Sequence, residues 1–91
     1  MKKFLFIGID FSKSKFDVTV LTSIDQQNFV QATFENDQKG FNDFLKWVSK
    51  QSDVIKHDWL FCGEHTGLYS RGLTEFLVKK NLYTFNIIFY L

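Results

Sequence analysis

Phe4-Leu5-Phe6-Ile7-Gly8-Ile9-Asp10 and Trp59-Leu60-Phe61-Cys62-Gly63-Glu64 are two short apolar runs, each closed by a carboxylate. Neither has a helical period, and a continuous apolar run of this length fits a strand covered on both faces. If the two are neighbouring parallel strands, Asp10 and Glu64 lie side by side at the carboxyl edge of a sheet. Open α/β sheets place their ligands at that edge. Two clustered acids repel each other unless positive charge lies between them, and a divalent metal is the usual answer.

Outward from the first run, Phe11 to Lys15 reads as a turn. Phe16, Val18 and Val20 then alternate with Asp17 and Thr19, the pattern of a half-buried strand. A third strand spans Phe29 to Phe34. Asn36-Asp37 is a helix start, and Phe41, Phe44, Leu45 and Val48 follow at i, i+3, i+4 and i+7 to give one apolar face. The Trp59 run is the fourth strand. Thr66 is placed to cap a second helix lined by Tyr69, Leu73, Phe76 and Leu77, which ends at Lys79-Lys80-Asn81. Tyr83 to Ile88 is the fifth strand.

This order, βββαβαβ, predicts an α/β fold with one mixed five-stranded sheet in the order 3-2-1-4-5. Strand 2 is antiparallel to strand 1, and strands 1, 4 and 5 are parallel. Right-handed crossovers put both helices on one face. Alternation puts Asp10 with Phe4, Phe6 and Gly8, and Glu64 with Leu60 and Cys62. If the acids point away from the helices, nothing in the chain covers them. The phenylalanine side of strand 1 is expected to be core in a complete domain and exposed in an incomplete one.

The 91 residues make one small domain with 45% apolar residues. A chain of this size buries only roughly 60–65% of its unfolded surface. Aromatic residues reach 19%, mostly through 12 phenylalanines, and proline is absent. The net charge of +1 gives no global attraction to nucleic acid or membrane. Locally, residues 1–15 hold four lysines and one aspartate, a basic cluster around Asp10. The single cysteine excludes an internal disulfide, and Cys62 reads as a small buried hydrophobe. The amino-terminal apolar stretch is too short for a signal sequence or a membrane span, so a cytoplasmic protein is expected.

The stretch Ile7-Gly8-Ile9-Asp10-Phe11-Ser12-Lys13-Ser14-Lys15-Phe16-Asp17-Val18 resembles the opening of the DEDD transposases, the insertion-sequence-110 group and its relatives the pilin-gene inverting recombinases. So do Phe34-x-Asn36-x-x-x-Gly40 with Phe44-Leu45-x-Trp47-Val48, and Cys62-Gly63-Glu64-His65-Thr66-Gly67-Leu68-Tyr69 with the run onward to Asn86. The resemblance implies an RNase H-like domain similar to the RuvC resolvase, with four acids (Asp, Glu, Asp, Asp) that bind Mg2+. Asp10 matches the first acid and Glu64 the second. The last two belong to a later helix that packs on the open sheet face, and this chain stops before it. The proline that usually follows the family's asparagine is also missing after Asn86. A partial RNase H-like domain over residues 1–91, with the final catalytic helix absent, is therefore expected.

The resemblance further implies metal-dependent phosphodiester cleavage of DNA, with a guide or structural RNA as a further partner in the full-length family. Lys13, Lys15, Thr66 and Arg71 are the candidates for phosphate contact. Two acids are too few to hold a metal pair, so the chain alone is expected to bind Mg2+ weakly and to leave DNA uncut. A phosphate-binding domain of the actin and sugar-kinase type also opens on a strand, Gly-x-Asp and a hairpin. Phe11-Ser12-Lys13 lacks the glycine such domains place after the aspartate. A third reading is a non-catalytic remnant that self-associates through an uncovered sheet face and the open edge of strand 5. Cys62, His57 and His65 lack zinc-ligand spacing, and Ser12-x-x-Lys15 has no partner motifs for penicillin-type chemistry.

Overall fold

In the computed structural model the described residues are 5–21, 29–54, 58–64, 69–80 and 87–90, with Glu64 and residues 87–90 described by their backbone. The elements are β1 (Leu5–Phe11), β2 (Lys15–Leu21), β3 (Phe29–Glu35), α1 (Gln38–Gln51), β4 (Trp59–Glu64), α2 (Arg71–Lys79) and β5 (Ile87–Tyr90). They form one mixed sheet in the order β3-β2-β1-β4-β5. β2 is antiparallel to both β1 and β3, whereas β4 is parallel to both β1 and β5. The carboxyl ends of β1, β3, β4 and β5 therefore share one edge.

One face of the sheet is the core. Leu5, Ile7 and Ile9 of β1, Phe16, Val18 and Val20 of β2, and Trp59 and Phe61 of β4 are all buried. Phe41, Phe44 and Val48 of α1 and Leu73, Phe76 and Leu77 of α2 complete the same cluster. The abundance of phenylalanine is spent here. Phe16 lies 5.5–6.0 Å, centroid to centroid, from Phe11, Phe34, Phe41 and Phe44. Phe41 in turn meets Phe76 across the two helices at 5.5 Å. Each such pair adds about 0.5–1.5 kcal/mol beyond its buried area, which helps a small domain with little core to spare.

The chain turns sharply from β3 into α1. The Asp37 side chain caps the helix by accepting the Gly40 N–H at 2.8 Å, which satisfies one of the unpaired donors of the first turn. Gly40 is fixed by space, because a Cβ there would overlap the Glu35 carbonyl group. The spacing from Asn36 to Gly40 is thus the signature of a tight strand-to-helix reversal.

Three expectations are corrected. The core side of β1 is Leu5-Ile7-Ile9, and Phe6 is half-buried on the opposite side; Phe4 lies outside the described residues. Leu5, Ile7 and Ile9 of β1 lie in the same cluster as the aromatic rings of β2, β4 and the two helices. Tyr69 precedes α2 and is 45% exposed, outside the helix's inner face, because the helix begins only at Arg71 with Ser70 in the N-cap position. Thr66, expected to cap that helix, lies outside the described residues. The last strand is Ile87–Tyr90, later than the stretch Tyr83 to Ile88, and residues 83–86 lie outside the described residues. Among the described residues, no helix is long and apolar enough to cross a membrane.

Candidate metal centre

Asp10 is the penultimate residue of β1, and its side chain is exposed on the sheet face away from the helices. β1 and β4 pair in parallel up to Ile9 and Gly63, so Asp10 and Glu64 occupy the next position of the same ladder. Glu64 is also the end of β4, where its backbone pairs with Tyr90 of β5. The two runs that end on acids therefore deliver those acids to adjacent positions at the carboxyl edge.

A third carboxylate, which the sequence reading does not single out, stands on the other flank. Asp17 of β2 lies directly opposite Asp10 in the antiparallel ladder. Its Oδ1 accepts the Thr33 hydroxyl of β3 at 2.6 Å. One step further from the edge, Gln31 Nε2 donates to Thr19 Oγ1 at 3.1 Å. The open face thus carries a polar band across β1, β2 and β3. The available signal was the hairpin itself: a turn between two alternating strands pairs Asp10 with Asp17 once its length is known.

Carboxylate oxygens are hard donors that suit Mg2+, which is commonly held by one or two carboxylates together with its own waters and substrate phosphates. Asp10 and Glu64 fit that pattern in donor type and position. Among the described residues, no group of three or more His, Cys, Asp or Glu gathers as a self-sufficient metal site.

The candidate phosphate contacts are spread out. Lys13 is exposed in the turn between β1 and β2, and Lys15 is the exposed first residue of β2, paired in register with Glu35. Arg71 opens α2, and its Nε donates to Glu75 Oε1 at 3.1 Å. Lys13 and Lys15 therefore stand closest in sequence to Asp10, while the Arg71 guanidinium is engaged on its own helix. Thr66, His65 and His57 lie outside the described residues. Cys62 is half-buried beside Gly8. Burial pushes its thiol above the ordinary value, which keeps it protonated and a poor nucleophile at neutral pH.

A comparison with curated protein sequences yields no match. Among solved structures, the chain is similar to the Pelota protein of Thermoplasma acidophilum, with a TM-score of 0.54 and 9% identity. That alignment covers 99% of this chain and 28% of the Pelota chain, so the likeness concerns the fold of one part of a longer protein. The family model for IS110 DEDD transposases, described as "Transposase", matches residues 7–90. With a match that begins inside the first strand and runs to the end of the last, the chain belongs to the IS110 family of DEDD transposases.

Proposed function

We propose that these residues form the amino-terminal part of an RNase H-like nuclease domain, in which Asp10 and Glu64 are the first two metal-binding acids. The observation that carries this reading is the parallel register of β1 and β4, which puts the two acids at successive ends of adjacent strands. Family membership makes DNA the natural substrate, and phosphodiester cleavage is the reaction for which such an edge is suited. A bound Mg2+ ion supplies positive charge to a phosphate and an activated water. The chain's own residues would orient the ion through carboxylate oxygens and hold the substrate backbone through Lys13 and Lys15. Arg71 contributes once released from Glu75, and Thr66 is the remaining candidate on the β4 side.

Two acids leave most of an octahedral shell to water and phosphate, so the 91 residues alone bind Mg2+ weakly and do not cleave DNA. Among the described residues β3 and β5 end the sheet with no further strand beside them, which makes a second copy of the chain a further candidate partner beside DNA. Calorimetric titration of Mn2+ into the wild-type chain, Asp10→Asn and Glu64→Gln tests the assignment. The expected result is weak wild-type binding that both substitutions abolish. Equal binding by all three proteins would remove Asp10 and Glu64 from the site, and metal-dependent cleavage of a branched duplex by the 91-residue chain would overturn its inactivity.

A further inference from the structure

Asn36 sits between β3 and α1, at the same carboxyl edge that carries Asp10 and Glu64. It is half-buried, and its contacts cross the edge in two directions. Its Nδ2 donates to the Ser12 carbonyl, two residues after Asp10, at 3.0 Å. The same Nδ2 donates to the Tyr69 carbonyl, in the segment that joins Glu64 to α2, at 2.8 Å. Its backbone N–H adds a third bond, to the Ser14 carbonyl at 2.9 Å. Both side-chain partners are carbonyl oxygens, which only accept, so the group facing them must be the NH2 and its two hydrogens are both used.

The turn that Asn36 grips is itself closed. The Ser12 N–H and hydroxyl both donate to the Lys15 carbonyl, at 2.8 and 2.9 Å. On the far side, the Ser70 carbonyl accepts the Thr74 N–H at 3.0 Å and the Thr74 hydroxyl at 2.9 Å, which anchors the start of α2. Asn36 is held in turn by the tight reversal that Gly40 permits and Asp37 caps. It is a short, rigid strut between two closed pieces of backbone. A serine is too short to span both carbonyls, and an aspartate would aim a carboxylate at them.

We propose that Asn36 is a positioning residue for the edge that carries the acid pair: its single amide group ties the turn that follows Asp10 to the backbone at Tyr69, just ahead of α2. The metal-related part of this assignment rests on the proposed function above; the tie between the two segments does not. It accounts for why an asparagine precedes the α1 cap, a position that helix capping alone leaves open, since Asp37 already does that work.

The test compares the wild-type chain with Asn36→Ala and Asn36→Asp by amide hydrogen exchange and by Mn2+-induced broadening of NMR resonances. Loss of the strut is expected to lower protection at the Ser12 and Thr74 amides together, by about tenfold, consistent with the loss of one or two hydrogen bonds. Protection within α1 at Phe44 and Val48 stays unchanged. In the wild type, the amides of Asp10 and Glu64 broaden at the same Mn2+ concentration; in the variants they broaden at different concentrations, with affinity down about tenfold. Asn36→Ser serves in place of any variant that fails to fold. Unchanged exchange on either side of the strut overturns the proposal, as does loss of strut protection with the joint broadening intact. If the wild type shows no Mn2+ broadening at either acid, the metal assignment falls, and the exchange result alone decides whether Asn36 ties the two segments.

Discussion

The two faces of one sheet are built from alternate residues of the same strands, yet they do opposite work. On the helix-covered face, Leu5, Ile7, Phe16, Val18, Val20, Trp59 and Phe61 are at most 2% exposed. On the other, Gly8, Asp10, Asp17, Thr19, Gln31 and Thr33 form a band of small and polar groups. The first face supplies stability through apolar burial. The second places like charges directly opposite one another at Asp10 and Asp17, an arrangement that costs stability in a sheet. Such a cost is typical of places where local rules yield to a site.

The sharpest break between the faces comes from the core. Phe44→Ala removes a fully buried ring that meets Phe16, Phe34 and Phe61. It should cost about 3–5 kcal/mol, a large part of the stability of so small a domain, and urea denaturation will register it. Metal affinity of the fraction that remains folded should be unchanged.

Asp37→Ala comes next. Loss of the bond to the Gly40 N–H should cost about 1 kcal/mol, seen as a lower thermal midpoint with the sheet's circular dichroism intact.

On the open face the sign reverses. Asp17→Asn keeps an oxygen to accept from Thr33 and removes the repulsion with Asp10. It should raise stability by about 0.2–1 kcal/mol in the absence of divalent ions, and added Mg2+ should narrow the gap.

The smallest effect sharpens the comparison through pH. Burial holds the Cys62 thiol above its ordinary value, so the thiolate is scarcer at pH 7–8 than in an unfolded chain. Iodoacetamide should alkylate Cys62 more slowly than it does the urea-unfolded protein. The ratio should shrink as the pH rises through the thiol's folded value, where the folded state also loses stability relative to the unfolded one.

Much of this arrangement is legible in the sequence where the signal is local. The alternation from Phe16 to Val20 and the i, i+3, i+4, i+7 face of α1 follow from side-chain spacing, and the two runs that end on Asp10 and Glu64 from their unbroken apolar character. What escaped depends on three-dimensional neighbours. Phe6 looks like core by composition, but which face of β1 is buried depends on where the helices land. Asp17 is an ordinary outward residue until the hairpin register sets it opposite Asp10. Asn36 reads as part of a helix start, and its partners Ser12 and Tyr69 are 24 and 33 residues away. No local pattern announces such a contact. The start of α2 lies later than a cap at Thr66 would put it, because Ser70 takes the N-cap position and the helix opens at Arg71.

The proposed site predicts that a divalent ion gathers on the open face between Asp10 and Glu64 and not on the rest of the surface. Residue-by-residue Mn2+ broadening of the wild-type chain and of Asp10→Asn tests it most directly. The account predicts that the amides of Gly8, Asp10, Asp17, Cys62 and Glu64 broaden first in the wild type, with α1 and α2 spared, and that Asp10→Asn abolishes this pattern. Broadening that begins elsewhere, or that survives in Asp10→Asn, would contradict it.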